Sequence, residues 1–163
     1  MIAHNPMRPR FETLEKKKLI GMKERMSLTS NKTFQLFSTF MPRRHEIITP
    51  KNGDVYDLKI YPEDYYENFN PAREFEKWAL MEVNVFDQVP LEMDTFELPA
   101  GIYAVFIQRG PNSDTSTFEH IFREWLPTSG YKLDNRPHFE ILGPKYRKDH
   151  IDSEEEIWIP VKR

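Results

Sequence analysis

The sequence predicts an α+β domain in which two tandem βαββ modules share one antiparallel sheet, with two main helices on one face and a central groove on the other. Three observations carry this expectation. The order strand, helix, strand, strand occurs twice along the chain. The two helices align without a gap, Leu36, Phe37, Phe40, Met41 and Pro42 against Ile121, Phe122, Trp125, Leu126 and Pro127. A Glu-x-Trp motif stands near the end of each half, Glu76-Lys77-Trp78 and Glu156-Ile157-Trp158. The halves run over about 11–86 and 92–163, within one domain spanning 11–163.

Residues 1–10 hold two prolines and two arginines and read as a flexible lead-in. Phe11–Leu28 reads as one strand, bent at Gly21, and its lysines read as a solvated edge that discourages aggregation. A helix follows, capped by Ser30 or Asn31, with Leu36, Phe37, Phe40 and Met41 on one face and Pro42 as its stop. Lys51-Asn52-Gly53-Asp54 is a turn. Val55–Tyr61 alternates Tyr56, Leu58 and Ile60 against Asp57 and Lys59, a strand pattern. Pro62–Arg73 is a polar loop with acids and tyrosines. Glu76–Val85 is a strand with Trp78, Leu80 and Glu82 on one side, and Asp87–Leu91 crosses to the second half.

Phe96–Gln108 is interrupted at Pro99-Ala100-Gly101. Over Ile102–Ile107 both faces are apolar, so that strand is covered on both sides or faces a greasy cleft on one. The second helix begins near Ser116, where Ser116 and Glu119 form a capping box. Phe118, Ile121, Phe122, Trp125 and Leu126 make its apolar stripe, and Pro127 and Gly130 close it. His138–Leu142 is a short strand and Gly143–Asp152 a charged loop. In the last strand Ile157, Ile159 and Val161 read as core, whereas Glu154, Glu156, Trp158 and Pro160 share the other face. A carboxylate two residues from an indole is a way to hold a flat cation.

Composition excludes several classes. The 163 residues suffice for one domain with a real core. A net charge of −3 gives no field that gathers nucleic acid, so no direct nucleic-acid binding is expected. Without cysteine there is no disulfide, thiolate zinc site or cysteine nucleophile. None of the five histidines has a metal spacing, and glycine is too scarce, at six, to support a phosphate loop; no cofactor is expected. The start has no secretory h-region and no run is long enough for a membrane helix, which makes a cytoplasmic, membrane-free protein the expectation.

The run Gly101-Ile102-Tyr103-Ala104-Val105-Phe106, Gly110, Glu124-Trp125-Leu126-Pro127, Ser129-Gly130-Tyr131, Pro137-His138-Phe139-Glu140 and Glu156-Ile157-Trp158-Ile159-Pro160-Val161 resembles the GyrI-like (gyrase-inhibitor-like) small-molecule-binding family. The same domain forms the effector-binding half of AraC-type and MerR-type multidrug regulators. Trp78–Val83 is similar to that family's strand before the crossover, with Leu80 where the family usually has glycine. The resemblance covers roughly residues 10–163. It implies duplicated SHS2-like modules, a central groove for bulky, often cationic aromatic compounds, and an acid on the last strand facing the ligand, the position Glu156 matches. Some stand-alone relatives resemble hydrolases of cyclopropane-bearing natural products; others look like toxin- or gyrase-modulating proteins. No helix-turn-helix precedes the domain, so a complete transcription factor is not expected.

Glu156, Trp158, Tyr103 and Trp78 are therefore the expected ligand contacts. Glu82 and Tyr61 are weaker candidates, Glu154 and Glu155 are expected in solvent, and Trp125 is expected in packing. His120 and Glu124 are expected as a surface pair. The leading function is a binding protein that senses or sequesters hydrophobic, cationic aromatic molecules. The alternatives are a hydrolase using Glu156 as general base and an interaction protein acting on a regulator or a topoisomerase.

Overall fold

The computed structural model describes residues 8–111 and 113–163. In chain order the strands are β1 (Arg10–Leu14), β2 (Lys17–Met26), β3 (Val55–Ile60), β4 (Phe75–Val83), β5 (Asp94–Leu98), β6 (Gly101–Arg109), β7 (Lys132–Leu133), β8 (His138–Leu142) and β9 (Glu154–Lys162). Helix α1 (Thr33–Phe40) lies between β2 and β3 and tightens into a 3-10 segment over Met41–Glu46. Helix α2 lies between β6 and β7. It opens as an α turn at Ser116–Glu119, widens into a π segment over His120–Trp125 and closes over Leu126–Thr128.

Every strand pairing among the described residues is antiparallel, in the order β1-β6-β9-β8-β3-β4-β2-β5, with β7 added on β9. Counted outward from the central β8–β3 pair, β9 stands opposite β4, β6 opposite β2 and β1 opposite β5. The first strand of each half pairs away from its own half: β1 runs into β2 but pairs with β6, and β5 runs into β6 but pairs with β2.

The links fix the curvature. Leu14 pairs with Gly101 and Lys17 with Leu98. Only Glu15-Lys16 joins Leu14 to Lys17, and only Pro99-Ala100 joins Leu98 to Gly101, so each gap is at most about 11 Å. In a flat sheet the two edge strands, seven spacings apart, would be about 34 Å from one another. The sheet is therefore rolled until its edges meet at one corner. Its concave face gathers Leu14, Leu19, Tyr56, Leu58, Trp78, Leu80, Leu98, Tyr103, Val105, Phe139 and Trp158 into one cluster that touches both edges. The convex face carries both helices: Leu36 and Phe40 of α1 pack on Ile20, Met22, Ala79 and Met81, and Ile121 of α2 packs on Ala104, Phe106, Ile157 and Ile159. Each fully buried Leu, Ile or Phe in these layers contributes about 1.5–3 kcal/mol.

Several expectations are corrected. Phe11–Leu28 is two strands, and the break at Glu15-Lys16 has neither glycine nor proline because the exchange of edges, not local chemistry, sets it. β2 runs unbroken through Gly21, where the Ala79 backbone comes so close that a Cβ would overlap its carbonyl oxygen. Lys17 and Lys18 do not form a free edge, since β5 pairs with β2 over Lys17–Gly21, whereas Lys23 is exposed where β2 pairs with β4 alone. Lys16 meets Glu97 at 2.7 Å and Lys17 meets Glu82 at 3.1 Å. At α1 the N-cap is Lys32, without a side-chain cap, and not Ser30 or Asn31; the Asn31 side chain, one residue earlier, accepts from the Thr33 N–H at 2.9 Å. At α2 it is Asp114, not Ser116, whose side chain accepts from the first turn, at the Ser116 N–H. The lead-in ends sooner than expected. Met1–Met7 lie outside the described residues, and Arg10 already belongs to β1.

Candidate ligand groove

The register places one transverse row of side chains across the concave face. Arg10 of β1 stands beside Val105 of β6, then come Trp158 of β9, Phe139 of β8, Leu58 of β3, Trp78 of β4 and Lys23 of β2. The middle of the row is apolar, each tryptophan flanks it, and a cation stands at each end. Alternation along a strand then sets Glu156 and Glu76 on the same face, each two residues before its tryptophan.

Both Glu-x-Trp motifs close in the same way. The Trp158 indole N–H donates to Glu156 Oε1 at 3.0 Å, and the Trp78 indole N–H donates to Glu76 Oε1 at 2.6 Å. Arg10 lies 5.8 Å from the centre of the Trp158 ring, and Lys23 lies 5.2 Å from that of Trp78. Arg10 also donates to Glu156 Oε2 at 2.8 Å and to Glu12 at 3.0 Å. Trp158 stacks on Phe139 with centroids 5.2 Å apart, and Trp78 tilts on Phe96 at the same separation. The Glu156 side chain is 32% exposed, whereas both tryptophans are buried, at 8% and 4%. Each motif is thus a carboxylate that fixes an indole edge, leaving the ring face to a positive charge.

Of the four expected contacts, Glu156, Trp158 and Tyr103 are brought together, and Trp78 stands in the same row on the far side of the seam. Tyr103 meets Trp158 edge-on at 5.8 Å. It forms the floor: it is fully buried, its hydroxyl donates to the Pro137 carbonyl at 2.8 Å, and the Arg136 guanidinium lies 4.7 Å above its ring. Glu82 also faces inward, accepting from Tyr56 at 3.3 Å and paired with Lys17 and Lys51. Burial, followed by this acid, raises the Tyr56 phenol well above its usual range. Tyr61 is on the opposite face, among Tyr65, Tyr66, Phe75 and His138. Trp125 packs edge-on against Phe106 at 5.2 Å, and His120 pairs with Glu124 at 3.0 Å.

Sequence reasoning missed Arg10, Lys23, Phe139 and Glu76 as parts of this face. The repeated Glu-x-Trp was a usable signal for Glu76; nothing local marks the two cations, which arrive from strands distant in sequence.

It also missed a buried ionic cluster on the convex face, between the two helices. Lys59 donates to Glu140 at 2.6 Å and lies 3.4 Å from Asp57, which Lys77 approaches to 3.5 Å. Glu155, expected in solvent, is only 6% exposed, because β9 turns it inward next to Ile157. Burial, and then the neighbouring Glu140, push its carboxyl up to about 9. Burial, and then Lys59, push His138 down to about 3, so its imidazole is neutral. A cavity of about 50 Å³ beside Lys59, Tyr66, His138 and Phe122 has room for a water or two, far below a ligand pocket. A wider cleft of about 620 Å³ opens between Phe11 and Trp125. Both hollows lie on the convex side. On the concave side Arg10 and Lys23 lie over the rings of Trp158 and Trp78.

The chain matches, over residues 10–161, the family model described as Cass2, integron-associated effector binding protein. It is 27% identical over 146 residues to the transcriptional regulator BrlR of Pseudomonas aeruginosa, a stretch that is 88% of this chain and 51% of BrlR, so the chain spans about half the length of that relative. Among solved structures it is similar to the C-terminal domain of EcmrR, with a TM-score of 0.70, 16% identity and coverage of 96% of this chain and 98% of the other. It is also similar to SAV2435 bound to tetraphenylphosphonium, with a TM-score of 0.67, 16% identity and coverage of 96% and 94%.

Proposed function

This chain belongs to the Cass2 family of integron-associated effector binding proteins, and from that premise we propose that it binds hydrophobic, cationic aromatic molecules on the concave face. Glu156 supplies the compensating charge, Trp158 and Trp78 supply ring surface, and Phe139 and Tyr103 form the floor. The observation that carries this reading is Arg10. A flat, delocalised cation already lies over Trp158 and on Glu156, in the arrangement a cationic ligand needs. Arg10 is 45% exposed, so its own pair with Glu156 contributes little and yields at small cost. The cation bound to SAV2435 agrees with the chemistry. The role is sensing or sequestration of toxic compounds, alone or in the service of a regulator of the kind BrlR represents.

The alternative, Glu156 as general base in a hydrolase, is less favoured by the geometry. One of its oxygens accepts from a guanidinium and the other from an indole N–H, so both are already engaged by donors of the chain itself.

The test is tryptophan-fluorescence titration with tetraphenylphosphonium and with neutral triphenylphosphine oxide. Glu156→Gln is expected to weaken the phosphonium by roughly three- to tenfold and the oxide hardly at all. Equal weakening of both, or no binding of either, would refute the assignment.

A further inference from the structure

We propose that the concave face is built for an elongated dication, with the Glu76–Trp78 motif as a second cation clamp equivalent to Glu156–Trp158; this rests on the reading above. The two motifs share one geometry: an indole N–H fixed on its own glutamate, and a resident cation over the ring. They lie in one transverse row, and the side chains between them, Phe139 and Leu58, are buried and apolar. The row therefore has the pattern cation, ring, apolar span, ring, cation. Arg10 and Lys23 stand in for the two charges, and Phe139 and Leu58 match a hydrophobic linker.

The span follows from the sheet. Trp158 and Trp78 are three strand spacings apart, about 14 Å along the sheet and less across its bend. Each clamp alone is weak, because its cation is exposed. Joining two charges makes the second contact intramolecular, so the gain over a monocation comes from effective concentration and not from a new contact. Net charge supports the match. With Arg10 and Lys23 swung into water, Glu156 and Glu76 present two negative charges at the two ends of an apolar strip.

The experiment is isothermal titration of the whole chain with α,ω-bis(trimethylammonium)alkanes whose chain lengths bracket the span, and with alkyltrimethylammonium ions of the same lengths. The expected result is one dication per chain, a single best length, and binding on the order of tenfold tighter than the matching monocation. In Glu76→Gln that advantage disappears. Two monocations per chain with no dication advantage, no dependence on length, or an advantage that survives Glu76→Gln would each overturn the proposal. In the first of these cases, monocation binding that still depends on Glu156 leaves the single-cation reading standing. If neither class of ion binds, both readings fall. The length series uses the native chain, so it decides the matter even if the variant is unstable.

Discussion

Replacing Lys59 with methionine removes the centre of the convex-face ionic cluster and should be among the most destabilising single changes in the protein. The Lys59 side chain is 10% exposed, with Glu140 at 2.6 Å and Asp57 at 3.4 Å. Without it Asp57 keeps only Lys77, and Glu140 is left facing Glu155. Removing one partner of such a buried group costs about 3–5 kcal/mol, mostly from the unpaired charge that remains. With a urea slope of about 2 kcal/mol per molar, the midpoint should fall by about 2 M. The double change Lys59→Met with Glu140→Gln should cost less than Lys59→Met alone, because it deletes the stranded charge as well. Urea unfolding followed by far-UV circular dichroism measures all three proteins. A loss below about 1 kcal/mol for the single variant, the scale of an exposed pair, would show that water reaches the cluster and would refute the argument.

Two further outcomes follow from the same geometry. Glu155 binds its proton more tightly folded than unfolded, since burial raises its carboxyl from 4.5 to about 9. Stability from this group is therefore full below about 4.5 and lost as pH rises toward 9. His138, lowered from 6.5 to about 3, has the opposite slope between those values, so the Glu155 effect stands alone of the two above pH 6.5. Glu155→Gln should flatten the fall in thermal stability between about pH 6.5 and 9, and an unchanged slope would rule Glu155 out as its source. Gly21→Ala should destabilise by about 3 kcal/mol in urea unfolding, because its Cβ would overlap the Ala79 carbonyl oxygen and β2 and β4 must shift; a neutral variant would show that β2 and β4 can part there freely.

Alternation along strands was the most legible signal. It assigned Trp78, Leu80 and Glu82 to one face of β4 and separated Ile157, Ile159 and Val161 from Glu156 and Trp158 on β9, as the packing confirms. It failed where polarity and burial part company. Asp57, Lys59 and Glu155 have the spacing of a solvent face, but the fold buries them, Lys59 in ion pairs with Asp57 and Glu140. The break at Glu15-Lys16 was illegible because its cause is β6, some ninety residues downstream. The π segment of α2 was hidden as well, since Phe118, Ile121, Phe122 and Trp125 satisfy an ordinary α-helical stripe equally well. The groove was half visible. Its acid and rings could be named from the strand pattern, but Arg10 and Lys23 could not, because a cation over a ring is decided by pairing and not by neighbours in sequence.

The crossing of the two short links bears on ancestry. In the present chain each module's leading strand pairs with the other module, so for a lone βαββ module a second copy would be a ready mate, each lending the other an edge. Such a homodimer, fused head to tail, reproduces the present connectivity without any strand having to move. Cutting the chain in the Asp87–Leu91 crossing should accordingly yield two pieces that find each other in solution, since each holds the border the other lacks.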